Sequence, residues 1–286
     1  MSQINLEKAV QRDKCSQDSD SQAKPADCHI TKLVRGNQPV LACGSEGCED
    51  LSRSTAFSRI NLILLAGGTG SRMQTATPKQ FLPLNGKLII HYSLELFLSI
   101  PEIKEIVIVS DPQYRNHLTN YPVSFALPGA RRQDSVYNGL MAISSDTEYV
   151  CIHDGARPFI TKQNVDDIIL AAKENGAATL GMPIKFTVKE CDENLLVKHT
   201  PNRGNIWEIQ TPQVIRYDIL TKGFEQINRE GLTVTDDVSV VEHIGHPVKL
   251  VSGSYNNLKI TTPGDLSFSE HLLNGPFAQS FCPFPK

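Results

Sequence analysis

Two cationic residues, Arg72 and Lys79, follow a glycine-rich loop at residues 66–70. Backbone N–H groups of such a loop turn readily towards an anion. Arginine adds a planar fork of donors, and lysine adds a compact point charge. Lys79 stands between Pro78 and Gln80, with Pro83 close behind, and the two prolines stiffen its backbone. The pattern predicts a site that neutralises negative charge at one phosphorus, and the alternative is a structural turn with two surface cations.

Two common phosphate-binding motifs do not fit this loop. The dinucleotide fingerprint G-x-G-x-x-G requires a third glycine where Met73 stands. A P-loop requires G-K-[ST], which follows neither Gly67 nor Gly68. A dehydrogenase is therefore disfavoured, while a non-catalytic nucleotide-binding module stays open. No Ser-His-Asp or Cys-His set stands out in the chain.

The elements around the loop alternate between short apolar runs and helical patterns. This alternation predicts an α/β fold, a Rossmann-like, mostly parallel sheet with helices on both faces. A polar, irregular stretch at residues 185–213 predicts a β-hairpin arm that protrudes from the body. The predicted strands are residues 60–66, 105–111, 123–127, 149–154, 176–184 and 248–251, and the predicted helices are residues 90–98, 131–143, 161–175 and 217–229, with further helices after Thr235 and from Asp265.

Asp154 ends one of the predicted strands, at the carboxyl edge where open α/β sheets bind their ligands. A carboxylate there can hold Mg²⁺ against phosphate oxygens. The alternative is that Asp154 caps the next turn or pairs with Arg157. His153 points to the opposite face of the strand, which favours a structural role.

The composition places limits on the class of protein. The chain has 286 residues and a formal net charge of −3, which gives no electrostatic case for nucleic-acid binding. No segment reaches the roughly 20 apolar residues of a membrane span. The N-terminus lacks an apolar signal region and is too acidic for a transit peptide, so a cytoplasmic location is expected.

The first 58 residues show no helical or strand period and are predicted to be a flexible extension. They hold four of the seven cysteines, whose spacings fit no regular zinc knuckle. Reduced thiols are the interpretation that these spacings favour, and zinc is the alternative. Cys151, inside a predicted strand, acts as a small hydrophobe. The four N-terminal cysteines are Cys15, Cys28, Cys43 and Cys48.

Several sequence blocks occur in the order found in one known family. The chain resembles the CDP-alcohol-forming nucleotidyltransferases, and within them the 2-C-methyl-D-erythritol 4-phosphate cytidylyltransferases, from about residue 60 to 272. The resemblance implies a cytidylyltransferase domain at residues 59–274 and a C-terminal tail at 275–286. The blocks are LAGGTGSRM with PKQ, PGARRQDSV, HDGARPF, IKFTVK, PNRGNIWEIQTPQ, TVTDD and NLKITTPGDL.

The resemblance implies transfer of CMP from CTP to 2-C-methyl-D-erythritol 4-phosphate, with release of pyrophosphate, in non-mevalonate isoprenoid biosynthesis. Ribitol-5-phosphate cytidylyltransferase shares the glycine loop, the arginine and the lysine, and it is the alternative. Arg72 and Lys79 are implied to stabilise the transition state, and Asp154 to help place Mg²⁺. The residues implied to contact the nucleotide are Ala66, Gly67, Gly68, Gly70, Lys79, Gly129, Ser135 and Gly155.

Four further residues, Thr187, Arg203, Lys259 and Arg157, are implied to position the sugar-alcohol phosphate. By their residue types alone, Ser135 could also be a helix cap and Arg203 a surface charge. Ala130 stands where relatives often carry an acidic residue, so that side-chain contact with the base is lost.

The arm is also expected to build a dimer. An arm that leaves its own core must pack against another surface, and a twofold partner supplies one. A homodimer is therefore expected, with Thr187 and Arg203 of each arm reaching towards the partner's site. Thr235, Asp236 and Asp237 are interpreted as a helix N-terminus with acidic residues rather than as a catalytic carboxylate pair.

Overall fold

The computed structural model describes residues 33–34, 39–40, 58–68, 70–73 and 75–275. The chain forms two compact units, Met1–Thr55 and Ala56–Lys286. In the first unit, β1 (Leu33–Val34) pairs antiparallel with β2 (Pro39–Val40). The four N-terminal cysteines, most of the predicted extension and the tail beyond residue 275 lie outside the described residues.

The second unit is built on a seven-stranded sheet. Its strands are β3 (Ile60–Leu65), β6 (Ile103–Val109), β7 (Ser124–Ala126), β8 (Tyr149–Asp154), β9 (Ala177–Pro183), β12 (Trp207–Arg216) and β13 (Lys249–Ser252). Their order is β13-β9-β12-β8-β3-β6-β7, and every pairing is parallel except those of β12. A separate short hairpin joins β4 (Pro83–Leu84) to β5 (Lys87–Leu88).

Helices cover both faces of this sheet, as predicted. They are α1 (Ile89–Leu98), α2 (Arg132–Ala142), α3 (Lys162–Asn175), α4 (Tyr217–Glu230), α5 (Val238–Glu242) and α6 (Pro263–Asn274). Helices α1 and α3 share one apolar core with the sheet, and α2, α4 and α5 share the core on the other face. Because helices cover both faces of the sheet, its strands have to be apolar on both sides.

Helix α3 illustrates how local sequence sets an element. The Oγ1 atom of Thr161 accepts a hydrogen bond from the N–H of Asn164 at 3.3 Å, as expected of an N-cap. Gly176 ends the helix at φ +82°, in the left-handed region that glycine reaches without strain. Between these ends, Val165 and Ile168 lie on the buried face of the helix.

The protruding arm is shorter than predicted. It contains β10 (Glu190–Cys191) and β11 (Val197–His199), which pair antiparallel. The prediction extended it to residue 213, but β12 already belongs to the central sheet. Residues 210–215 are buried there, and residues 213–215 pair with both β8 and β9. Among the described residues, no helix combines the length and the apolar character needed to cross a membrane.

Candidate active site

Strand geometry brings the glycine loop and Asp154 together. Strands β3 and β8 are parallel and in register, so Leu65 lies opposite Asp154 where both strands end. A cleft of about 400 Å³ opens at this edge. Predicted site residues that line it are Gly67, Gly68, Gly70, Arg72, Lys79, Gly129, Ser135, Asp154 and Lys259.

Lys79 is presented to the cleft by a rigid turn. Residues Lys79–Phe81 form a 3-10 turn after Pro78, and the buried Phe81 ring stacks on Tyr114 with centroids 4.8 Å apart. Lys79 itself is only 7% exposed. Burial, followed by repulsion from Lys259, lowers the pKa of Lys79 to about 8, and Arg72 adds to the effect while Asp154 opposes it. The stiffening predicted from the prolines is therefore backed by core packing.

The loop offers free backbone donors to an anion. Among the described residues, the N–H groups of Gly67, Gly68 and Gly70 donate no hydrogen bond to a protein acceptor. At Gly67 the main chain also passes so close to Pro128 that an added Cβ would lie 2.4 Å from the Cβ of that proline. A side chain is thus excluded where the loop turns towards the cleft.

Two other residues predicted to contact the nucleotide, Ala66 and Gly155, lie outside the cleft lining. The N–H of Ala66 donates to the carbonyl of Val109 at 2.8 Å, and that of Gly155 donates to the carbonyl of Leu65 at 2.9 Å. Neither residue is among those that line the cleft. The N–H of Gly129 donates to the Oγ atom of Ser135 at 2.9 Å. These three amides already bond within the fold, while Gly129 still borders the cleft, so its predicted contact with the nucleotide stays a prediction.

Ser135 lies in the first turn of α2 and is not its N-cap, because Arg131 occupies that position. Its hydroxyl accepts from Gly129 and lies 3.2 Å from the carbonyl oxygen of Arg131, to which it donates. The residue also lines the cleft. Ser135 therefore shapes the loop that precedes α2 and faces the same space as the glycine loop.

Asp154 is surrounded by cations. Its Oδ2 atom lies 2.7 Å from Lys259 Nζ and 3.7 Å from Arg157 Nε, and its Oδ1 atom lies 3.3 Å from Arg132 Nη2. Burial alone would raise the pKa of Asp154, but the charges of Arg132, Lys259 and Arg157 hold it below its usual value. The carboxylate is therefore ionised whenever the protein is folded near neutral pH.

The donors available for a metal ion are few. No group of three or more His, Cys, Asp or Glu side chains suited to a metal occurs among the described residues. Asp154 is a single carboxylate beside a phosphate-binding loop. Mg²⁺ is often held by one or two carboxylates together with substrate phosphates, so this donor set fits a metal that arrives with a nucleotide.

Arg157 has a supporting position. Its Nη1 atom donates to the carbonyl of Asn257 at 2.7 Å, and its Nε atom faces Asp154. It is not among the residues that line the cleft. The pairing with Asp154, considered as an alternative for this aspartate, is present, and the predicted contact of Arg157 with substrate is not supported in this conformation.

His153 is structural, as predicted. It is fully buried, and burial lowers its pKa to about 4. Its Nε2 atom lies 3.1 Å from the carbonyl oxygen of Arg157, and its Nδ1 atom lies 3.2 Å from the Oγ1 atom of Thr211. That oxygen accepts from the N–H of Asp154 at 3.0 Å. The imidazole therefore supports the strand end behind the carboxylate.

The residue that sequence reasoning missed is Arg132. It lines the cleft and contacts Asp154, and it also forms a two-bonded pair with Asp237 at 2.7 and 2.8 Å. Asp236 acts as a cap, because its Oδ1 atom accepts from the N–H of Ser239 at 3.1 Å. The interpretation of this segment as a helix N-terminus is confirmed, because Asp237 is the N-cap position of α5. The Asp237 side chain makes no capping bond and pairs with Arg132 instead.

Thr187 and Arg203 are not brought to the cleft of their own chain. Both are exposed on the arm, and neither is among the cleft-lining residues. Arg203 begins a 3-10 turn, Arg203–Asn205. Their predicted contact with substrate therefore depends on a second subunit.

Comparison with known proteins supports a family assignment. The family model described as 2-C-methyl-D-erythritol 4-phosphate cytidylyltransferase matches residues 60–275. A rice protein named as the chloroplastic form of this enzyme is 48% identical over 221 residues, covering 75% of this chain and 74% of its own. The enzyme of Chlamydia pneumoniae is 42% identical over 213 residues, covering 74% of this chain and 98% of its own.

Solved structures agree with the sequence matches. The 4-diphosphocytidyl-2C-methyl-D-erythritol synthase of Anaerococcus prevotii superposes with a TM-score of 0.71 at 28% identity, covering 77% of this chain and 97% of its own. The 2-C-methyl-D-erythritol 4-phosphate cytidylyltransferase of Francisella tularensis gives 0.66 at 32% identity, covering 74% and 98%. From residue 60 to residue 275, the chain therefore belongs to the 2-C-methyl-D-erythritol 4-phosphate cytidylyltransferase family.

Proposed function

We propose that this chain transfers CMP from CTP to 2-C-methyl-D-erythritol 4-phosphate and releases pyrophosphate, a step of non-mevalonate isoprenoid biosynthesis. The observation that carries the proposal is the cleft in which Arg72, Lys79 and Lys259 face the free amides of the glycine loop. Family membership supplies the identity of the two substrates.

The reaction needs no protein nucleophile. An oxygen of the acceptor phosphate attacks the α-phosphorus of CTP and forms a new P–O bond. The bond from that phosphorus to the oxygen bridging to the β-phosphate breaks, and pyrophosphate leaves with the electron pair. Arg72 and Lys79 neutralise the charge that builds on the equatorial oxygens, which lowers the barrier. Fixed cations serve this purpose well because they need no rearrangement during the reaction.

Around these two cations, the N–H groups of Gly67, Gly68 and Gly70 hold the phosphates of CTP. Ser135 and the loop at Gly129 border the space for ribose and cytosine. Lys259 positions the acceptor phosphate. The Nζ atom of Lys259 lies 2.7 Å from the carboxylate of Asp154. Lys259 therefore has to leave Asp154 in order to pair with the incoming phosphate.

Asp154 is the residue that would hold Mg²⁺ in the cleft. A metal ion bound there together with CTP would offset the negative charge of the phosphates. Release of Lys259 frees one oxygen of Asp154 for this purpose. Removing divalent metal with a chelator is therefore expected to abolish turnover, and restoring Mg²⁺ is expected to recover it.

The arm supports the proposal of a homodimer. Its apolar side chains are outward-facing, with Phe186 77% exposed and Leu195 81% exposed. Burying them against a second copy would remove this apolar surface from water. In such a dimer, Thr187 and Arg203 of one subunit contact the acceptor bound by the other.

A cytoplasmic location is proposed from the acidic N-terminal residues. The rice relative is named chloroplastic, so a plastid is the competing location. Fractionation of the source cells with antibody detection would distinguish the two.

A pyrophosphate-release assay tests the function. The purified protein is given CTP and Mg²⁺ with methylerythritol phosphate, with D-ribitol 5-phosphate, or without acceptor. We expect turnover with the first acceptor and little with the others. Preference for ribitol phosphate would identify the chain as a ribitol-5-phosphate cytidylyltransferase. CTP binding with no release for either acceptor would indicate a non-catalytic nucleotide-binding module.

A further inference from the structure

Arg132 stands between two carboxylates that belong to different parts of the fold. It opens α2, while Asp154 ends β8 and Asp237 precedes α5. The Nη1 and Nη2 atoms of Arg132 donate to the two oxygens of Asp237 at 2.7 and 2.8 Å. Its Nε and Nη2 atoms donate to Asp154 Oδ1 at 3.4 and 3.3 Å. Four of its five N–H donors are therefore committed to these two partners.

The main chain at Asp237 is held by contacts that do not involve Arg132. The Oε1 atom of Gln213 accepts from the N–H groups of Asp237 and Val238, at 2.9 and 3.0 Å. Gln133, next to Arg132, holds the same segment by bonding the carbonyl of Leu232 and the N–H of Val234, each at 2.9 Å. The segment at residues 232–238 is thus fastened both to β12 and to the first turn of α2.

The carboxylates of Asp237 and Asp154 differ in the number of their cationic partners. Among the described ion pairs, Asp237 has Arg132 alone, although it is 1% exposed, whereas Asp154 has three cations. Without Arg132, Asp154 would still face Arg157 and Lys259. What Arg132 adds is direction, because a guanidinium held end-on by Asp237, through Nη1 and Nη2, fixes where Asp154 Oδ1 points. Lys259 is left with the other oxygen, which it must release when anions enter the cleft.

We propose that Arg132 is a positioning residue for cytidylyl transfer, which holds Asp154 in its working orientation because Asp237 anchors it. The inference rests on the proposed function. It predicts that Asp237 and Arg132 affect catalysis as one unit, although Asp237 is not among the residues lining the cleft. A lysine at position 132 retains charge but cannot bond both carboxylates through a planar fork.

The test is a double-mutant cycle in steady-state turnover with CTP, methylerythritol phosphate and Mg²⁺. Arg132→Lys is expected to lower kcat at least tenfold with less than threefold change in the KM for CTP. Asp237→Asn is expected to lower kcat about threefold to tenfold. The double variant is expected to be no slower than Arg132→Lys, because residues that act as one unit are not additive.

Thermal unfolding of each variant gives the unfolding midpoint and separates misfolding from mispositioning. The matched control is the exposed pair Arg216–Asp218, in which the arginine also bonds both carboxylate oxygens. Arg216→Lys and Asp218→Asn are expected to keep kcat within twofold of the wild type.

Independent, multiplying effects of Arg132→Lys and Asp237→Asn on kcat would overturn the inference. So would an Arg132→Lys variant that changes only the KM for CTP, which would indicate direct nucleotide binding. Absence of turnover in the wild type would instead overturn the proposed function, and the inference with it.

Discussion

At the scale of single residues, the surroundings of Lys79 disfavour the charged form of its side chain. Its pKa is lowered from 10.5 to about 8 by burial, with Lys259 and Arg72 adding repulsion. The folded protein therefore loses this proton at a lower pH than the unfolded chain. Stability rises with pH between about 8 and 10.5, where the unfolded chain binds one proton more, and the cost of the buried cation is present below that window. A triphosphate would relieve that cost.

This setting predicts a pH dependence of activity. The kcat/KM for CTP is expected to fall as pH rises above about 8, because free enzyme with neutral Lys79 lacks one of the charges that stabilise the transition state. A pH–rate profile measures this. The variant Lys79→Arg remains charged throughout the range, so its residual activity is expected to show no such fall. An identical alkaline fall in both proteins would contradict the assignment of the titration to Lys79.

Single residues also show where sequence reasoning works and where it stops. The cleft positions of Arg72, Lys79 and Asp154 follow from local features, namely a glycine loop, flanking prolines and a strand end. Arg132 was missed because its partners lie 22 and 105 positions away, and no local spacing reveals them. The sequence predicts nucleotide contacts for Ala66 and Gly155, but it does not show that the fold already uses their N–H groups.

At the scale of elements, the alternation of apolar runs and helical patterns was sufficient to predict the α/β architecture. The exception is β12, which was partly assigned to the arm. Its first half is polar and partly exposed, so a sequence pattern places it outside the core. Only the pairing with β8 and β9 shows that residues 207–213 lie in the sheet. Long-range strand pairing is the information that a local pattern lacks.

The N-terminal cap of helix α6 is expected to affect catalysis as well as stability. Thr262 caps this helix, and Asp265 bonds the N–H groups of Thr261 and Thr262, each at 2.8 Å. Thr261 and Lys259 line the cleft. Asp265→Ala is expected to cost about 1 kcal/mol of unfolding free energy and to raise the KM for the acceptor severalfold.

The control for this prediction is Thr161→Ala, which removes the N-cap of α3 away from the cleft. It is expected to cost a similar free energy of unfolding, about 1 kcal/mol, with kinetics unchanged. Chemical denaturation and steady-state kinetics of both variants measure the two effects. Equal kinetic damage from both substitutions would show that general destabilisation, and not the segment at residues 259–261, limits activity.

At the scale of the whole molecule, the exposed arm predicts assembly. Phe186→Glu is expected to shift the protein from dimer to monomer, because it places a charge on an apolar surface that a second copy would cover. Light scattering coupled to size-exclusion chromatography measures the mass. Activity should fall with the dimer, since Thr187 and Arg203 would no longer reach a partner's site.

Leu170→Glu is the matched control, because this side chain is 60% exposed on α3, outside the arm. It is expected to leave the mass unchanged. A wild-type protein that is monomeric at micromolar concentration and fully active would contradict the role of the arm.

The most direct test of the central claim, that fixed cations at the glycine loop drive cytidylyl transfer, is single-turnover kinetics of Lys79→Ala at saturating CTP. The rate is expected to fall at least 100-fold, about 2.7 kcal/mol of barrier, with an unfolding midpoint no lower than that of the wild type. Lys222→Ala, an exposed lysine on α4, should match the wild type. A loss below tenfold, about 1.4 kcal/mol, in folded Lys79→Ala would contradict the account.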